Sequence, residues 1–117
     1  MENRYVDANE LLLKSFNRTF MQGDYVTHFL REDIEDPHFT TERIYQIIGL
    51  SKDLDDKSNN KRVVVIALSG DKPIYTIPLN DFMKEIDKTE FPGYKQTYVF
   101  ERISEDEVMR ISKGILV

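Results

Sequence analysis

The chain has 117 residues, no cysteine, no tryptophan and a formal charge of −5, with 16 Lys and Arg against 21 Asp and Glu. This length suits one domain with one core, and the missing thiols exclude a disulfide framework, a thiol nucleophile and a thiolate metal site. No apolar run approaches the roughly 18 residues of a membrane span, no export leader opens the chain, and the acidic balance opposes phosphate-backbone binding as the main activity.

At the N-terminus, Asp7 and Glu10 have capping-box spacing, and Val6 with Leu11 has the spacing of a hydrophobic staple. Leu12, Leu13 and Phe16 continue an apolar side, which predicts a helix over Ala8–Arg18. Gly23-Asp24 is a turn signal. Tyr25–Leu30 reads as a short strand, rich in residues that favour extended backbone. Arg31–Arg43 carries Glu32, Asp33, Glu35, Asp36 and Pro37 with little apolar periodicity. It reads as a long exposed loop, either functional or simply mobile.

Ile44–Ser51 reads as a second strand, with Gly49 marking a bulge or tight bend. Asp53–Asn60 is a polar turn. Arg62–Ser69 is the strongest strand, and its continuous run Val63–Leu68 predicts burial on both faces. Gly70-Asp71-Lys72-Pro73 connects it to a returning strand, Ile74–Ile77, which Pro78 stops. Leu79, Phe82, Met83 and Ile86 have helical spacing, so Asn80–Asp87 reads as a short amphipathic helix. Lys95–Ile103 alternates in part and reads as a strand. Ser104 and Glu107 form a second capping box, with Ile103 and Val108 as its staple. Val108, Ile111 and Ile115 then line a C-terminal helix that ends near Gly114.

The expected fold is therefore mainly β: a small SH3-like barrel or strongly bent antiparallel sheet over 25–103. An N-terminal helical extension (1–24) and a C-terminal helix (104–117) flank it within a single domain. The expected core holds Phe29, Ile47, Val63, Val65, Ala67, Ile74, Ile77, Phe82 and Phe100.

Several pieces are similar to one family. His28-Phe29 is a His-aromatic pair. Tyr45-Gln46-Ile47-Ile48-Gly49 is a Tyr-x-Ile strand, and Val63-Val64-Val65 opens a Val-Val strand. Tyr75-Thr76-Ile77-Pro78-Leu79, Phe82, Phe91-Pro92 and Lys95-Gln96-Thr97-Tyr98 follow in order. Together they resemble the bacterial DUF1653 family of unknown function over Tyr25–Ile103. The resemblance implies an SH3-like barrel, and carries over a binding surface of His28, Tyr45, Tyr75, Pro78 and Phe82. Two departures stand out: the acidic Leu30–Arg43 stretch replaces a short Lys-Gly turn, and Ile77 replaces an arginine before Pro78. Tyr5-Val6-Asp7-Ala8-Asn9 also looks like a short opening found on small proteins of Gram-positive bacteria and their phages.

Motifs for chemistry are sparse. The loop from Asp53 fails the calcium pattern, with Lys57 at position 5, Ser58 at 6 and Val64 at 12. His28 and His38 with nearby carboxylates lack helical metal-ligand spacing, and packing of His28 on Phe29 is the simpler reading. No serine sits in a Gly-x-Ser-x-Gly elbow. Gly49, Gly70 and Gly93 are isolated, not a phosphate loop. Basic residues do interleave with aromatics, as in Lys72-Pro73-Ile74-Tyr75, without a basic patch.

The sequence thus points to a non-enzymatic cytoplasmic binding module for a protein or peptide, with no cofactor, metal or membrane attachment. The alternatives are a nucleic-acid accessory protein, or a small-molecule enzyme whose acid/base pair has no motif. A dimer through the terminal helices is open to the same sequence.

Overall fold

The computed structural model describes residues 18, 20–52, 54 and 61–116. The expected N-terminal helix, apart from Arg18, and most of the polar turn over Asp53–Asn60 lie outside the described residues. Within them, five strands make one open antiparallel sheet in the order β4-β3-β2-β1-β5. They are β1 (Tyr25–His28), β2 (Ile44–Ser51), β3 (Arg62–Ala67), β4 (Ile74–Pro78) and β5 (Phe100–Ile103). Two helices accompany them, α1 (Leu79–Met83) and α2 (Glu105–Leu116).

Side-chain alternation sorts the strands onto two faces. The pairs Tyr45↔Ala67, Ile47↔Val65 and Val65↔Tyr75 share one of them. On that face Phe20, Val26, Ile47, Val63, Val65, Phe82, Met83 and Phe100 form the main core. Phe82 stacks on Phe100 at 4.9 Å and meets Phe20 edge-on at 5.3 Å. Arg18 closes one side of this core. Its guanidinium covers the Tyr98 ring at 3.9 Å and donates to the carbonyls of Met83 and Phe100. On the opposite face, Ile44, Val108 and Ile111 form a second cluster, with Tyr25, Leu68 and Ile103 packed against it. The apolar side of α2 is thereby spent on the sheet of its own chain, which is what the sequence alone left open.

The α2 start follows the expected cap: Glu107 N–H donates to Ser104 Oγ at 3.1 Å. The bulge also falls as expected, with the β2–β3 register shifting between Ile47 and Gly49. In the β3–β4 hairpin, Lys72 N–H donates to the Ser69 carbonyl at 3.1 Å. Gly70 there adopts φ 65°, a left-handed conformation that glycine takes without a Cβ penalty.

Five expectations need correction. The first strand stops at His28, and Phe29–Asp33 is a 3-10 turn. The helix read over Asn80–Asp87 ends at Met83. Beyond it the backbone is extended and pairs with the 97–99 segment: Ile86 N–H donates to Thr97 O, and Val99 N–H to Lys84 O. Ile86 is buried, but it reaches the interior from extended backbone, so helical spacing was right about burial and wrong about conformation. The strand read over Lys95–Ile103 begins only at Phe100, because the N–H groups of 95–98 are taken by side-chain carboxylates, described below. Val63, Val65 and Ala67 are buried, but Val64 and Ile66 only half-buried, so β3 is covered on one face rather than two. Ile74 is 62% exposed instead of core, since it faces away from Tyr75 on the last strand of the sheet.

The stretch from Arg31 to Arg43 is anchored rather than simply exposed. It holds a second 3-10 turn, Pro37–Phe39. Buried Arg31 donates through Nη1 to Glu42 O at 2.6 Å and through Nη2 to Pro37 O at 2.5 Å. A planar fork with two well-placed donors suits this bridging role.

Candidate functional site

Two grooves are lined in part by aromatic side chains. The first, about 440 Å³, lies where β2 begins beside the β3–β4 hairpin. Arg43, Tyr45, Asp71, Pro73 and Tyr75 line it. The Tyr45 ring rests edge-on against Phe100 at 5.9 Å and meets Tyr75 at 6.2 Å. Tyr45 is half-buried, whereas Tyr75 is 49% exposed. One ring is thus fixed by the core and the other is offered to solvent. Arg43 sits in a turn closed by Ile44 N–H to Thr41 O, with φ 65°. That conformation costs a non-glycine residue on the order of 1 kcal/mol.

The sheet ends on β4, beside this groove. Ala67 N–H donates to Pro73 O, and Leu79 N–H to Lys61 O. With the register Val65↔Tyr75 and Val63↔Ile77, alternation turns the backbone groups of Tyr75 and Ile77 toward β3. Those of Ile74 and Thr76 therefore point outward. Arg62 reaches across to Thr76, with Nε on Oγ1 at 3.0 Å and Nη2 on the carbonyl at 3.3 Å.

The second groove, about 420 Å³, runs between the end of β1 and the 84–91 segment. His28, Phe29, Leu30, Ile86, Phe91 and Val99 make its walls, with Lys84, Glu85, Asp87 and Glu90 also lining it. Phe29 meets Phe91 edge-on at 5.1 Å, and stacks under His28 at 4.8 Å. His28 Nδ1 accepts the Leu30 N–H at 3.1 Å, so the proton of the neutral ring lies on Nε2. Burial, reinforced by the Arg43 charge, pushes the His28 pKa down to about 4. The imidazole is therefore an uncharged aromatic wall at neutral pH.

A third groove, about 430 Å³, borders α2, and two of its charged groups, Arg31 and Glu32, are committed to the fold. Glu32 accepts the N–H groups of Lys95 and Gln96 at 2.8 and 2.9 Å. Glu101 accepts those of Thr97 and Tyr98 at 2.7 and 3.0 Å. Two carboxylates thus hold four successive N–H groups. The Gln96 amide continues the network to Thr27 and Tyr98.

Of the surface residues expected from sequence, Tyr45 and Tyr75 come together in the first groove. His28 lies in the second. Pro78 ends β4 opposite Arg62 and lines neither. Phe82 is fully buried between Phe20 and Phe100; it cannot belong to a contact surface, and its helical spacing with Met83 and Ile86 was a core signal. The reading missed Asp71 and Phe91. Asp71 sits in a hairpin turn, where an acid reads as turn chemistry. Phe91 precedes Pro92-Gly93 and reads as loop.

Among the described residues, no group of three or more His, Asp or Glu stands close enough to hold a metal ion. No helix among them is long and apolar enough to cross a membrane. Comparison of the chain with protein-family models, with curated proteins and with solved structures finds no match.

Proposed function

We propose that this protein is a peptide- or protein-binding module that takes an extended segment along β4 and over the Tyr45–Tyr75 groove. One observation carries the reading: the half-exposed Tyr75 ring stands on the end strand of the sheet, beside the outward backbone groups of Ile74 and the outward N–H of Thr76. An added strand gains main-chain hydrogen bonds, while alternate side chains enter pockets that set specificity. Pro73 and Pro78 bracket this stretch, limiting the addition to a few residues, as edge prolines do. Groove charges of both signs, Glu42 and Asp71 against Arg43, favour a peptide over a nucleic-acid strand, which needs a positive groove. We also read the five-stranded sheet as the SH3-like barrel that the DUF1653 resemblance implies. Its strand order, and a main core gathered on one face, support that reading.

Selection of peptides from a random displayed library tests the binding. Enriched sequences should lose at least ten-fold affinity for Tyr75→Ala and for Ile74→Pro, and keep it for the distant Met109→Ala. Enriched peptides that bind all three variants alike would remove β4 as the site.

A further inference from the structure

The second groove is a different surface from the one proposed for peptide addition, and its chemistry is more selective. Its walls are apolar and aromatic: Phe29 and Phe91 in edge-on contact, with Leu30, Ile86 and Val99 beside them. Three of its four charged lining residues, Glu85, Asp87 and Glu90, are acids. The fourth, Lys84, lies 3.9 Å from Asp81. Lys88, next in the chain to Asp87, holds its ammonium on the carbonyls of Tyr94 and Gln96 at 2.6 and 2.8 Å. Arg43 acts on His28 across the ring, but its own groove is the other one. Asp87 is fixed in place, with Oδ1 accepting the N–H groups of Thr89 and Glu90.

We infer that the groove between His28-Phe29 and Phe91 receives a lysine or arginine side chain from a partner polypeptide, its stem on the half-buried Leu30, Phe91 and Val99 and its charge at Glu85, Asp87 and Glu90. Charge complementarity selects this occupant. A long aliphatic stem lies on apolar walls while its cationic head stays at a polar rim, and an aromatic face attracts the same cation. An acidic or phosphorylated segment would meet like charges there, which costs affinity. The neutral imidazole of His28 adds no competing positive charge.

Nuclear magnetic resonance titration of the folded chain tests this with three probes of one size: Nα-acetyl-lysine amide, Nα-acetyl-arginine amide and Nα-acetyl-norleucine amide. The last keeps the stem without the charge. The two cations should shift the Leu30, Ile86 and Phe91 amides and bind at least three-fold tighter than norleucine in low salt. Added salt should shrink that ratio, and the double variant Glu85→Gln, Glu90→Gln should bring it close to one while leaving the remaining spectrum in place. Equal binding of norleucine would overturn the proposal, leaving an apolar groove only. Cation-induced shifts confined to Glu32–Asp36 would also overturn it, as would shifts unchanged in the double variant. Tyr75→Ala should leave the lysine titration unaltered, so failure at β4 and failure here are separable.

Discussion

Protonating His28 would place a charge between Phe29 and Phe100, where the ring also accepts the Leu30 N–H through Nδ1. The folded pKa of about 4 lies below the ordinary 6.5. The unfolded chain therefore binds the proton first, and stability falls as the pH drops from 6.5 to 4. Above 6.5 the contribution is fully present. Because the imidazole is half-buried, solvent screening reduces the effect to on the order of 1–2 kcal/mol. Asn at this position keeps an acceptor for the Leu30 N–H and does not titrate. The pH dependence of urea midpoints should therefore be shallower for His28→Asn than for the parent between pH 6.5 and 4. Parallel profiles would mean that other groups dominate. The His-aromatic pair was legible in the sequence as packing. Its uncharged state was not, because burial depends on Phe100, 72 positions away.

At the scale of elements, the long β1–β2 connection is held by side chains rather than by a ladder. Arg31 spans Pro37 and Glu42, and Glu32 reaches forward to Lys95 and Gln96. Tyr94 Oη donates to Asp33 Oδ2 at 2.7 Å, and this bond raises the tyrosine pKa. Acids that read as a solvated loop are thus the acceptors for the Lys95 and Gln96 N–H groups and the Tyr94 hydroxyl. The sequence had no way to reveal this, since the partners lie about 60 residues apart. A lysine at position 31 has a point charge and cannot present the same fork. Arg31→Lys should therefore increase amide hydrogen exchange at Ile34 and Ile44 several-fold, with less change in β3. Exchange unaltered in this stretch would show that the 3-10 turns hold without the bridge. By contrast, the Ser104 cap on the Glu107 N–H formed as read, because both groups lie within one helical turn.

At the scale of the molecule, two apolar clusters share one sheet. The main core lies on one face, and the Ile44–Val108–Ile111 cluster on the other. Strands β1 and β2 contribute to both, through Val26 with Tyr25 and Ile47 with Ile44. Loosening α2 should therefore weaken the whole sheet. Ile111→Ala is expected to cost about 2–4 kcal/mol and to lower the unfolding midpoint equally by far-ultraviolet dichroism and by tyrosine fluorescence, the chain having no tryptophan. An earlier transition in dichroism alone would mean that α2 melts separately from the sheet. Seven of the 21 acids stand at Glu32–Asp36 and Asp53–Asp56. The first of these stretches is partly engaged in the fold through Glu32 and Asp33.

The sequence by itself determined the β class, the order of the strands along the chain, the bulge near Gly49 and the start of α2. These depend on alternation, turn residues and caps, which act over a few neighbours. Only the tertiary structure decided that Phe82, expected both in the core and on the binding surface, belongs to the core alone, that Ile74 and Tyr75 stand on the end strand, and that Tyr45 and His28 serve different grooves. It also decided that 95–98 gives its N–H groups to Glu32 and Glu101 instead of a strand. Each of these turns on which residues meet across the sheet, and local patterns carry no record of distant partners. The composition of one acidic, cysteine-free chain therefore bounds the fold, while the placement of acids and aromatics in space defines the surfaces proposed to bind.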